Sequence, residues 1–172
     1  MEGEKLYGEP QGILKKVLGN FGKPGSPEIV ICAELDIPTE FSKASISECL
    51  TAGPPEPKGR EDLTSIPLVT IDDEDARDFD DAVWAEPDTS ENNLGGWNLM
   101  IAIADVAAYV KPGSALDKEA QDRGNSVYLP SKVIPMLPEA LSNDWCSLKP
   151  GEDRACVAVR ISINKEGNTL NY

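Results

Sequence analysis

Apolar and polar positions alternate most clearly in two stretches. Trp97, Leu99, Ile101 and Ile103 interleave with Asn98, Met100 and Ala102, and Val157, Val159, Ile161 and Ile163 interleave with Ala158, Arg160 and Ser162. A period of two predicts strands. In the first, the second face is also mostly apolar, which predicts burial on both sides. Asn164-Lys165-Glu166-Gly167 supplies a hairpin turn after the second, and a short return strand starts at Thr169. Helices are signalled by caps rather than by strong periodicity. Ser42 or Ser45 caps a short helix over residues 42–50, and Ser114 caps one from Ala115 to about Arg123 that ends at Gly124. Pro135-Met136-Leu137-Pro138 opens another short helix ending near Ser142, and Asn125 to Pro130 forms a short strand carrying Tyr128. Residues 104–110 fit helix or extended chain equally. Strands and helices are mixed along the chain, so the fold class is mixed α/β, of the α+β kind.

Earlier in the chain, residues 11–21 and Glu28 to Ala33 read as two strands around the turn-rich Gly22-Lys23-Pro24-Gly25-Ser26-Pro27. They predict a hairpin of a small β-barrel whose other strands lie outside this sequence. Gly53-Pro54-Pro55-Glu56-Pro57-Lys58-Gly59 is a linker by composition. The division that follows assigns residues 1–50 to the tail of an OB-like barrel plus connector, 51–66 to a linker, and 67–172 to the start of a second domain. The short return strand at one end and the half hairpin at the other predict a chain cut short at both ends.

Charge singles out one place. From Asp72 to Asp81 the sequence holds six aspartates and one glutamate against one arginine, Arg77. Apolar, strand-like residues 66–71 and 82–84 flank the run and would gather its carboxylates. Two like charges about 4 Å apart repel by about 4 kcal/mol at an effective dielectric of about 20. One arginine is too few to offset that, and a hard divalent cation with oxygen ligands, Mg²⁺ or Mn²⁺, is the natural counter-charge. Asp72 ends one predicted strand; Asp78 and Asp80 share a side at the start of the next, with Asp81 pointing away. An EF-hand is excluded: counted from Asp73, the glycine position holds Asp78 and the glutamate position holds Trp84. A solvated acidic loop remains the plain alternative.

Composition narrows the remaining chemistry. The chain has 172 residues, four cysteines without a Cys-x-x-Cys pair, and no histidine. Zinc sites and Ser-His or Cys-His catalysis are therefore ruled out, and a reducing cytoplasm is the simplest setting. No apolar run approaches the ~20 residues of a membrane span, and no signal peptide opens the sequence. The formal net charge of −14 argues against unaided phosphate binding.

Several blocks carry a resemblance. Gly59-Arg60-Glu61-Asp62-Leu63, Pro67-Leu68-Val69-Thr70-Ile71-Asp72 and residues 74–83 resemble the opening of the RNB catalytic domain of the ribonuclease II/ribonuclease R family. So do Ile103-Ala104-Asp105-Val106, residues 123–130, residues 133–139, Leu141-Ser142-Asn143 and Cys146-Ser147-Leu148. The acidic stretch and the Pro-Met-Leu-Pro block lie nearer the ribonuclease R branch, and residues 8–40 look like the tail of a cold-shock-type barrel. The resemblance implies an Mg²⁺-dependent exoribonuclease that shortens single-stranded RNA from its 3′ end to nucleoside 5′-monophosphates, without an organic cofactor. It places the active-site aspartates on Asp72, Asp78, Asp80 and Asp81. Asp72 and Asp81 would be the leading ligands of a two-metal site, and Asp80 the residue whose loss hurts chemistry most. Tyr128 matches an aromatic that packs on RNA near its 3′ end, although a half-buried strand tyrosine explains it as well. Asp73, Glu74 and Asp75 read as solvated loop, Arg77 as a structural counter-ion, and Asp105 as a backbone partner rather than a ligand. Two other readings stand beside this one: a non-catalytic RNA-binding or regulatory relative, and a mixed α/β domain with an acidic surface loop.

Overall fold

A computed structural model describes residues 13–172 apart from Lys15 and Phe21. Three α-helices, α1 (Ser26–Glu34), α2 (Lys43–Cys49) and α3 (Ala115–Arg123), accompany six strands. Strands β1 (Asp81–Pro87), β2 (Trp97–Ala104), β5 (Cys156–Ile163) and β6 (Thr169–Asn171) form an antiparallel sheet in the order β1-β2-β5-β6. Strands β3 (Val127–Leu129) and β4 (Lys132–Ile134) make a separate hairpin. Among the described residues no helix is long and apolar enough to cross a membrane.

The sheet packs through its small residues. Ala82 pairs with Ala102, and Trp84 with Met100; Ala82, Met100, Ala102 and Ala104 are all buried. Alanines let the segment between β2 and β5 approach closely. Ala104 joins Leu116, Leu137, Leu141, Cys146 and Cys49 in one cluster. The opposite face carries the large side chains, yet Trp97, Ile103, Val157 and Val159 stay exposed, Val157 at 63%. Burial on both faces, expected from the sequence, is therefore not found among the described residues. The face bearing the small residues is covered and the large-residue face is open.

Helices α2 and α3 are locked together by side chains reaching backbone. Ser42 accepts from the Ser45 amide at 3.1 Å and Ser114 from the Asp117 amide at 3.1 Å, so both predicted N-caps form. Glu48 of α2 accepts the otherwise unpaired Ala115 and Leu116 amides at the start of α3, each at 2.9 Å. In return, Glu119 of α3 accepts from the Ser42 amide and, at 2.6 Å, from the Ser45 hydroxyl. Arg123, its side chain 3% exposed, pairs with Glu119 at 3.0 Å and donates to the Pro38 and Glu40 carbonyls. Its guanidinium also stacks 3.8 Å from the centre of the Phe41 ring. Residues 38–50 thus pack as part of the same core, although the sequence division set them with the preceding unit.

Four expected elements differ. Glu28–Ala33 is helix, not strand: Pro27 sits in the first turn of α1, where its fixed φ suits a helix start. The β-branched run Ile29-Val30-Ile31 that read as a strand lies on the surface of that helix, each residue more than a third exposed. The described residues before it form no strand, and the rest of the expected hairpin, residues 11–12, 15 and 21, lies outside the described residues. Residues 66–71 contribute only an isolated bridge, Val69 to Val83, because Pro67 and exposed Ile71 leave one residue with a partner. The helix expected from Pro135 starts later, as a wide turn over Leu141–Trp145. The Ala104–Val110 ambiguity resolves into the end of β2 followed by a short 3₁₀ turn, Val106–Ala108.

Candidate functional site

The acidic loop enters the sheet at β1, whose first residue is Asp81. Its backbone is pinned at several points. Val69 and Val83 exchange two hydrogen bonds of 2.9 and 2.8 Å. The Asp80 carbonyl accepts from the Ala104 amide at 2.9 Å. Ser147, fully buried, donates its hydroxyl to the Arg77 carbonyl at 2.9 Å and accepts from the Phe79 amide at 3.1 Å. The Leu148 amide adds a bond to the Phe79 carbonyl at 2.8 Å. A turn about 70 residues downstream therefore fixes the stretch between Arg77 and Asp80.

This anchoring brings predicted residues together. Asp72, Asp78, Asp80 and Tyr128 line one open hollow of about 520 Å³, with Ile71, Asp73 and Ala76 completing the wall. Asp73, expected as solvated loop, is exposed but faces this hollow. Asp81 does not line it, as the alternation along β1 requires, yet its charge reaches Asp80. Protein packed around the Asp80 carboxyl pushes its pKa up; the negative charges of Asp78, Asp81 and Asp72, in that order, push it further. Asp78, Asp81 and Asp72 thus lie close enough for their charges to be felt at Asp80. Tyr128, 68% exposed on β3, donates its hydroxyl to Asp78 Oδ2 at 3.2 Å. Partial loss of water around this otherwise exposed side chain, and then the Asp78 charge, raise the Tyr128 pKa.

The surrounding charges fall elsewhere. Among the described residues Arg77 forms no salt bridge, so the counter-ion role expected for it is not seen. Its exposed side chain lines a neighbouring hollow with Glu139 and Glu152. Asp105 behaves as a backbone partner: it accepts from the Ala108 amide at 3.1 Å and pairs with Arg60 at 2.7 Å. The four cysteines are free thiols, and burial pushes Cys146 up to about 12, so it offers no thiolate.

The donor chemistry suits a hard divalent cation, since every acid at the hollow presents oxygen and, among the described residues, none of its aspartates forms a salt bridge. The spacing is open: among the described residues no three carboxylates or thiols converge closely enough to hold one ion. Ser147 is the supporting residue that reasoning from sequence missed. It belongs to the Cys146-Ser147-Leu148 block, but nothing local marks a serine there as the support of a loop far away in the sequence.

Comparison with known proteins agrees with this architecture. The RNB domain model matches residues 60–172. Ribonuclease R of Vibrio parahaemolyticus is 49% identical over 165 residues, which cover 94% of this chain and 19% of that protein. Ribonuclease R of Escherichia coli is 55% identical over 114 residues, covering 66% of this chain and 14% of that protein. Among solved structures, Mycoplasma genitalium RNase R in complex with double-stranded RNA matches with a TM-score of 0.84 at 34% identity, over 91% of this chain and 28% of that one. The chain spans between about a seventh and a fifth of the length of these curated relatives. On its sequence and its fold alike, the chain belongs to the RNB domain family and is related to ribonuclease R.

Proposed function

We propose that this chain carries the metal-holding part of a 3′→5′ exoribonuclease site acting on single-stranded RNA. The observation that carries the reading is the convergence of Asp72, Asp78, Asp80 and Tyr128 on one open hollow, with Asp81 beside it on β1. In this reading the four aspartates hold Mg²⁺, or Mn²⁺ in its place, as a two-ion centre, Asp72 and Asp81 leading. When bound, the ions make water a stronger nucleophile and stabilise negative charge on the leaving oxygen. Asp80, the most crowded carboxylate of the cluster, contributes the charge that cation binding relieves most. Ser147 keeps the Arg77–Asp80 backbone from relaxing away from its neighbours. The exposed ring of Tyr128 offers a base a flat apolar surface, a contact indifferent to sequence. The absence of histidine fits chemistry that needs no imidazole base. The cytoplasm suits four free thiols.

The substrate class rests on the family and on RNA-bound relatives. The net charge of −14 means that basic surfaces outside this segment would gather the RNA. In a protein carrying the whole catalytic domain, Asp80→Asn should cut 3′-end shortening of a 5′-labelled single-stranded RNA by about three orders of magnitude or more, a loss of several kcal/mol in transition-state stabilisation. Circular dichroism should stay unchanged. Cleavage at the wild-type rate would overturn the reading.

A second reading, a non-catalytic RNA-binding relative, draws on the open spacing of the carboxylates. Retained RNA binding with no Mg²⁺-dependent shortening by the unsubstituted protein would favour it.

A further inference from the structure

The Tyr128 side chain has two ends in different surroundings. Its ring stands on a three-residue strand, opposite Val133, and is mostly open to solvent. Its hydroxyl reaches across 50 residues of sequence to one oxygen of Asp78. The platform beneath it is braced where Ser126 accepts from the Met136 amide at 3.0 Å. A tyrosine serving only as a stacking surface has no need of a phenol hydroxyl. A tyrosine serving only as core would not be 68% exposed.

We propose that Tyr128 is a positioning residue for the acid cluster: its hydroxyl fixes the Asp78 carboxylate for cation binding while its ring stays free for a nucleotide base. The inference rests on the metal-holding reading given above and adds a role for the hydroxyl to it. The choice of residue has a chemical logic. A neutral donor eases the mutual repulsion of Asp78 and Asp80 without placing a positive charge where a cation must bind. A lysine or arginine at the same distance would compete with the metal for the carboxylate. The bond engages only Oδ2 of Asp78, so the other oxygen remains available as a ligand. Hydrogen bonds of this kind to a ligating carboxylate set its orientation and hence its affinity for the ion.

The test is a Mn²⁺ titration of the 172-residue chain, followed by electron paramagnetic resonance of the free ion. Tyr128→Phe removes the hydroxyl and keeps the ring. It should weaken Mn²⁺ binding about tenfold with an unchanged thermal midpoint in the absence of metal, and it should have no further effect in an Asp78→Asn background. Equal affinity of Tyr128→Phe and the unsubstituted chain, where the latter binds Mn²⁺, would overturn the positioning role and leave the metal-holding reading intact. Equal losses from Tyr128→Phe with and without Asp78→Asn would overturn it as well, because the hydroxyl would then be acting through another group. No Mn²⁺ binding by the unsubstituted chain would overturn both.

Discussion

Two groups of carboxylates in this molecule live under opposite conditions. At the α2–α3 junction, the Leu116 and Ala115 amides hold Glu48 below its usual pKa. Burial works against the Glu119 carboxylate, but donors from Ser45, Arg123 and Ser42 outweigh it and bring it to about 2. At the hollow, Asp80 shifts the other way, raised by partial desolvation of its carboxyl, although the residue is exposed, and by three neighbouring aspartates. The first group is acidic because donors surround each oxygen, and its charge stabilises the fold. In the second the backbone holds like charges together, which makes Asp80 less acidic, and its charge opposes the fold. Such an arrangement needs support from elsewhere, which Ser147, the Val69–Val83 bridge and the Asp80–Ala104 bond supply. Asp80 thus differs from Glu48 and Glu119 in the direction of its shift.

The largest stability effect should come from breaking the first group. Arg123→Ala leaves the Glu119 charge short of a donor and two carbonyls unpaired, and should cost about 3 kcal/mol in denaturant unfolding. Arg123→Lys keeps the charge but not the fork, and should cost less. Acid sharpens the contrast. Glu119 has its folded pKa below its unfolded value, so its contribution is complete above about 4.5 and is lost as pH falls toward about 2. Glu119→Gln should therefore flatten the acid limb of the stability profile, and an unchanged limb would show that other groups set it. Asp80 carries the opposite sign. Its folded pKa is raised, so its penalty is absent below the ordinary aspartate range and complete once pH exceeds the folded value. Without metal, Asp80→Asn should raise the thermal midpoint at neutral pH, a smaller effect, and should leave it unchanged in acid. A lowered midpoint at neutral pH would remove the contrast between the two groups.

The parts of the fold that were legible in the sequence are those with local causes. Ser114 and Gly124 bracket α3, Ser42 caps α2, and Asn164 to Gly167 make the turn between β5 and β6. Period-two alternation located β2 and β5 almost to the residue. What failed depended on partners far away. Ile29-Val30-Ile31 looks like a strand by side-chain type, but no neighbouring strand takes it up, and Pro27 starts a helix instead. Val69 finds one partner and its neighbours none. Which sheet face is covered depends on where residues 105–155 fold back, information that alternation alone does not carry. At the site, the density of aspartates was plain in the sequence. The serine that holds their loop, and the hydroxyl of Tyr128 on Asp78, were not, because each acts across 50 residues or more.

The central claim is that Asp72, Asp78, Asp80 and Asp81 form one cation-holding unit to which Asp75 of the same loop does not belong. Calorimetric titration of Mn²⁺ into the chain tests this most directly, with each of the four changed singly to Asn and Asp75→Asn as the control from the same loop. The account predicts weaker binding for each of the four and unchanged binding for Asp75→Asn. Equal losses across all five variants would show a diffuse acidic surface rather than a site, and would contradict the account.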